Sequence, residues 1–248
     1  MRLSTSWITP LLATAAAAAV ACGGGKSAPT GAASSGVPDL MKARGLSEAD
    51  VTAALKTYTP SGKHDEYLVF ASGGHSGQVI VIGVPSMRII KSIGGFTPEP
   101  WQGYGFDDQT KAVPAGGRRN GPDLASARPP PPALSGSGGA HDGKYLFIGD
   151  KANARVAVID LADFMTKQIV TTELIGSDHG AAFVTPNTEY VIETTQYATP
   201  LGGKYADPKE YKDKYRGAAV FWKFDRTKGR IDPAASFAIE FPPYVQDL

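Results

Sequence analysis

An all-β repeat is the fold class this chain predicts, and three observations predict it. Apolar runs of strand length alternate with Gly, Ser and Pro. The same run–turn–run plan recurs along the chain. Turn formers are abundant, with 29 Gly and 19 Pro in 248 residues. "EYLVFASGG", "GQVIVIGVP" and "MRIIKSIGG" make a first unit. "GKYLFIGDKANARVAVIDLADFMTKQIVTTE" repeats it, with a strand ending at Gly149-Asp150, a turn over Lys151 to Asn153, a strand over Val156 to Ile159 and another over Gln168 to Thr172. "GAAFVTPNTEYVIETT" and "GAAVFWKFDRTKGRIDPAASFAIEFP" supply a third and a fourth. A unit of roughly 40 to 50 residues is the period of propeller blades, with room for about four after Asp39. A β-sandwich is the alternative that periodicity leaves open. One helix precedes the strands: "GLSEADVTAALKTYTPSG" pairs Ser47 with Asp50, a relative of the capping box, and sets Val51, Ala54, Leu55 and Tyr58 on one face.

The balance of charges excludes some functions. A net charge of +1 gives no reason to expect nucleic acid or an acidic membrane surface as partner. Hydrophobic residues at 42% and charged residues at 20% suit a globular domain with a sizeable core. The single cysteine, Cys22, excludes an intrachain disulfide framework and any cysteine-based metal site.

Cys22 lies in a leader. "MRLSTSWITPLLATAAAAAVAC" has Arg2, an apolar stretch from Leu11 to Ala21, and small residues before the cysteine. The stretch is short of the roughly 20 residues a membrane-spanning helix needs and fits a signal peptide over residues 1–22. Ala19-Val20-Ala21-Cys22 also satisfies a loose lipobox, in which Cys22 is lipidated; plain cleavage after Ala-x-Ala is the alternative. Residues 23–38, "GGGKSAPTGAASSGVP", read as a flexible linker spanning roughly 20 Å. The working domain is then 39–248, in a chain expected to be exported to the periplasm. It stops at "EFPPYVQDL" without a closing strand, so it reads as cut short.

Five blocks, "SGGHSGQVIVIGVPSMR", "FTPEPWQGYGFDDQTK", "DGKYLFIGDKANARVAVIDL", "DHGAAFVTPNTEYVIE" and "YRGAAVFWKFDRTKGRIDP", together resemble the N-terminal half of the nitrous oxide reductases, in their Sec-exported (clade II) form. The resemblance implies an N-terminal seven-bladed β-propeller, here only a partial one, and a C-terminal cupredoxin domain. It implies a histidine-held four-copper sulfide cluster, a dinuclear copper centre that feeds it electrons, calcium sites, and a head-to-tail homodimer served by a periplasmic electron donor. The implied reaction reduces nitrous oxide with two electrons and two protons to dinitrogen and water.

Carried over residue by residue, little of that apparatus is present. His179 in "SDHGAAFV" matches a cluster-ligand position, and imidazole is a suitable copper ligand; without the resemblance, a lone histidine in a turn reads as structural. The family's Trp-Gly-Asp-x-His-His-Pro segment aligns its two histidines with Pro130 and Pro131 and its aspartate with Arg128. Proline offers copper no lone pair, so these are degenerate ligand positions. Where each codon follows a C, reading one nucleotide early turns His-His into Pro-Pro and Asp into Arg, which matches Arg128-Pro129-Pro130-Pro131-Pro132. A local frame error, true divergence and a proline-rich surface loop stay open, and resequencing the locus separates the first from the others. The remaining cluster ligands, the calcium ligands and the cupredoxin domain would fall beyond Leu248.

His75 reads as a turn or packing residue, and His64 and His141 as solvent-facing loop residues. Asp107-Asp108 and "DPKEYKDKYR" read as solvated loop and short helix, not as an acid–base pair. The expected function is an N-terminal fragment of a copper-dependent nitrous oxide reductase, inactive as this chain. The alternative is a non-catalytic lipoprotein acting as a binding module, with a lipid anchor on Cys22. No nucleophile–base pair or spaced carboxylates support a third enzyme class on the same fold.

Overall fold

A computed structural model describes residues 36–96, 131–151, 153–171, 182–195, 198–200 and 207–242. The chain divides into two units, Met1–Thr52 and Ala53–Leu248. In the first, helix α1 (Val37–Arg44) ends at Gly45, whose φ of 64° suits a residue without a side chain. Sequence reading passed over α1. Helix α2 (Glu48–Thr57) starts where expected. The Ser47 N–H donates to Asp50 Oδ2 at 2.8 Å and the Asp50 N–H to Ser47 Oγ at 3.3 Å, a reciprocal cap made with Asp instead of Glu. Neither helix has a buried residue.

The second unit holds three antiparallel sheets. The first joins β1 (Tyr67–Ser72), β2 (Gln78–Val84) and β3 (Ile89–Gly94) in that order. The second joins β4 (Ala133–Ser137), β5 (Ala140–Asp150), β6 (Arg155–Asp160) and β7 (Met165–Thr171). The third has five strands, β8 (Phe183–Val184), β9 (Tyr190–Thr194), β10 (Thr199–Pro200), β11 (Tyr215–Asp225) and β12 (Arg230–Phe241), in which β11 pairs with β9, β10 and β12.

The inner strand β6 is buried on both faces, which is why "RVAVID" reads as a continuous apolar run. Alternation along β6 sends Ala157 and Ile159 into one core, with Val79, Val81 and Ile93 of the first sheet. It sends Val156 and Val158 into another, with Val191, Val220 and Trp222 of the third sheet. Phe224 links that second core edgewise to Phe147 and Tyr145, with ring centroids 4.9 and 5.1 Å away.

This architecture corrects the expected seven-bladed β-propeller with about four blades. The described residues form three small sheets, and none closes into a barrel or curls like a propeller. The third and fourth units do not make separate sheets. β8 and β9 are two and five residues long, too little for an independently stable sheet, so β9 joins β11 from Ala219↔Thr194 to Lys223↔Tyr190. Sheets of three to five strands also fall well short of the roughly eight that close a filled barrel.

The proline run has a place in this plan. Pro131 is exposed, Pro132 half-buried, and both lie directly before β4. β4 is the outer strand of its sheet, the position where a residue without an N–H does least harm.

Candidate functional site

Among the described residues, the most connected polar site lies where the β4–β5 hairpin meets the β8–β9 turn and the start of the β11–β12 turn. Gly138 and Gly139, with φ of 60° and 82°, form the two-residue hairpin loop between Ser137 and Ala140, where two positive φ values match the twist of the strands. Beside it, Thr185-Pro186-Asn187-Thr188 closes with the Thr188 N–H donating to Thr185 O at 2.7 Å. Thr188 then takes a φ of 59°. That left-handed region usually holds Gly or Asn and costs a β-branched residue about 1–3 kcal/mol.

The turn is tied to β4. The Gly136 N–H donates to Thr188 Oγ1 at 2.7 Å, and the same hydroxyl donates to Gly136 O at 2.9 Å. Gly138 N–H donates to Asn187 Oδ1 at 2.7 Å and Gly139 N–H to Pro186 O at 2.9 Å. A Cβ at position 136 would lie 3.1 Å from Ala140 O and 3.4 Å from Pro186 O, so any other residue would need these backbone oxygens to give way by a few tenths of an ångström. Arg226 joins the two: its Nη1 donates to Gly136 O at 2.8 Å and to Asn187 O at 3.1 Å. Its Nη2 donates to Ser137 Oγ at 3.3 Å and pairs with Asp142.

Asp142 is the acceptor at the centre of this site, taking hydrogen bonds from Ser135 Oγ, Ser137 Oγ, the Lys144 N–H and Arg226. Burial pushes its carboxyl up, but Ser135, Arg226, Lys144 and Ser137 outweigh burial and hold it well below the usual carboxylate range. On the adjoining turn, the Thr185 hydroxyl is the first cause holding Glu189 down to about 2. Both folded values lie below the unfolded ones, roughly 4. Their stabilisation is therefore full above pH about 5 and is lost as pH falls through 4 toward 2. We expect the urea midpoint to drop over that window, and Asp142→Asn to lower the midpoint at pH 7 while flattening the acid limb. A D142N acid limb as steep as that of the parent protein would remove Asp142 as its source.

Two further polar groups are deeply buried. Arg155 Nε donates to Asp150 Oδ2 at 2.8 Å, and Asn153 Nδ2 donates to the same oxygen at 2.8 Å. The Arg155 guanidinium lies 5.0 Å from the centre of the Phe96 ring. In the third sheet, Trp222 Nε1 donates to buried Glu193 at 3.2 Å.

Of the site residues expected from the sequence, Pro131 alone falls within the described residues. Cys22, Pro130 and His179 lie outside the described residues, as do Arg128 and Asp107-Asp108. Pro131 is described and offers no donor. His64 and His75 are exposed, the latter in a single 3-10 turn, Gly74–Ser76. His141 is exposed as expected but sits in β5 opposite Gly136, not in a loop. "DPKEYKDKYR" does form a solvated turn and short helix, Pro208–Glu210 and Tyr211–Lys214. Among the described residues no three His, Cys, Asp or Glu side chains converge to hold a metal. The described residues therefore offer no donor set that fits a copper cluster.

Sequence reading missed Ser135, Asp142, Thr188 and Arg226. The available signal was serine at alternate positions 135 and 137 of a strand, with an acidic residue just past the hairpin loop.

No family model matches the chain. A nitrous-oxide reductase of Pseudomonas fluorescens is 36% identical over 183 residues, covering 71% of this chain and 28% of that protein. One of Stutzerimonas stutzeri is 32% identical over 180 residues, with the same 71% and 28% coverage. The chain is a remote homologue of nitrous-oxide reductases. It spans 28% of the length of those two curated relatives. Among solved structures, the hydrazine synthase of Kuenenia stuttgartiensis superposes with a TM-score of 0.42 at 16% identity, covering 71% of this chain and 38% of that one.

Proposed function

We propose that this chain is an N-terminal, scaffold-forming segment of an exported copper oxidoreductase of the nitrous-oxide reductase type, and that it does not itself reduce nitrous oxide. The observation behind the reading is the 36% identity over 183 residues. The cluster is proposed to be missing from this chain because two of its ligand positions are Pro130 and Pro131, which leaves His179 as the one matched position with a donor. Parent-type activity, conversion of nitrous oxide to dinitrogen and water in the periplasm by a homodimer drawing on an electron donor, belongs to proteins with those histidines in place. The leader ending at Cys22 is proposed to direct export, with lipidation of that cysteine holding the chain at a membrane.

The test is to express the chain in a copper-replete denitrifying host. Copper is measured by mass spectrometry, and nitrous oxide consumption with a reduced viologen dye as donor. Substoichiometric copper and no consumption are expected. Pro130→His combined with Pro131→His should raise bound copper without restoring turnover. Nitrous oxide consumption by the unaltered chain would overturn the reading.

A further inference from the structure

We propose that Thr188 and Arg226 are the positioning residues of β4: together they meet its backbone on the edge that has no strand partner among the described residues, and fix where the chain arrives from Pro131 and Pro132. Only the purpose of that arriving segment rests on the function proposed above, and the clasp is testable without it.

Three observations carry the inference. First, among the described residues β4 pairs only with β5, and that ladder shifts register between Leu134 and Gly136. The hairpin loop sets the pairs Gly136↔His141 and Ser137↔Ala140, yet beyond the shift Leu134 faces Leu146 and Ala133 faces Phe147. A loop fixes register only through a continuous ladder, so the Pro132 end of β4 needs a second constraint. Second, the polar groups of Gly136, at the shift itself, are met by side chains and not by a strand. Thr188 takes both its N–H and its carbonyl, and Arg226 shares the carbonyl. Arg226 also grips Asn187, Ser137 and Asp142, so one side chain holds the turn, the strand and the far side of the hairpin. Third, Thr188 is buried with a φ of 59°. Strain of this kind persists where surrounding structure holds it. Gly or Asn would relieve it, but Gly brings no hydroxyl and Asn places an amide one atom further out. The double contact to Gly136 accounts for a threonine in an unfavourable conformation.

The test uses the full chain, nitrogen-15 labelled, with amide exchange and cross-strand proton contacts as readouts. Thr188→Val keeps the shape and loses the hydroxyl. The Gly136 amide should then exchange roughly ten- to a hundredfold faster, as expected for a lost buried hydrogen bond. Val156 and Val158 in the covered strand β6 should keep their protection, and the Ala133–Phe147 contact at the Pro132 end should weaken. Thr188→Ser, which restores the hydroxyl, should return Gly136 exchange to within about threefold of the parent. Arg226→Gln should give the same local pattern and carries the test if Thr188→Val does not fold. Unchanged exchange at Gly136, or protection lost equally across β4 to β7 with the Ala133–Phe147 contact intact, would overturn the positioning role.

Discussion

Trp222→Ala is expected to lower the unfolding free energy by ~3–5 kcal/mol, the range for deleting a large buried aromatic. Trp222 is 1% exposed and lies in the core between the four- and five-stranded sheets, with Phe147, Val158, Val191 and Phe224. Its removal opens a cavity that two sheets, each tied by its own ladder, can only partly collapse into. It also takes the indole N–H from Glu193, a fully buried acid, and desolvated acceptors are expensive to strip of donors. Trp222→Phe separates these contributions, since it fills most of the volume and supplies no N–H. The check is urea denaturation of the three proteins by tryptophan-independent circular dichroism. A Trp222→Ala loss under about 1 kcal/mol would mean that the two sheets do not share this core.

Arg155→Met should be nearly as damaging, at ~3–5 kcal/mol, for a different reason. Arg155 and Asp150 are 2% and 0% exposed. Replacing the arginine alone takes a buried guanidinium away from a buried aspartate. Phe96 also loses the guanidinium against its ring, although the methionine stem retains part of the packing. The double substitution Asp150→Asn with Arg155→Met is expected to lose clearly less than Arg155→Met alone, because the charge that the guanidinium offsets is then removed together with it. Equal losses from the single and double variants would show that packing at Arg155, and not the ion pair, sets its effect.

How much was legible in advance depended on the range of the interactions. The α2 cap was visible because Ser47 and Asp50 are three residues apart and the bonds joining them are local. The runs that became β2, β5, β6 and β11 were visible because apolar stretches bounded by turn residues report burial directly. β4 was not, since "ALSGS" has little apolar character and its pairing is supplied by β5 and the Thr188 turn. The clasp was invisible for the same reason: Arg226 and Asp142 are 84 residues apart, and no local pattern links them. The expected metal site fared otherwise, because Pro130 and His179 lie outside the described residues and Pro131 carries no donor.

By itself, then, the chain determined the existence and approximate extent of most strands, the helix start at Ser47, and a remote kinship with nitrous-oxide reductases that the comparisons bear out. Those properties are written in short-range periodicity and in blocks of residues, which survive without knowledge of the fold. The tertiary structure decided the number of sheets, the merging of the third and fourth units through β9 and β11, and the polar site around Asp142. Partner choice between strands depends on which faces can be buried together once all of them are present. A period of apolar runs counts strands, while the competition among their faces assigns them to sheets.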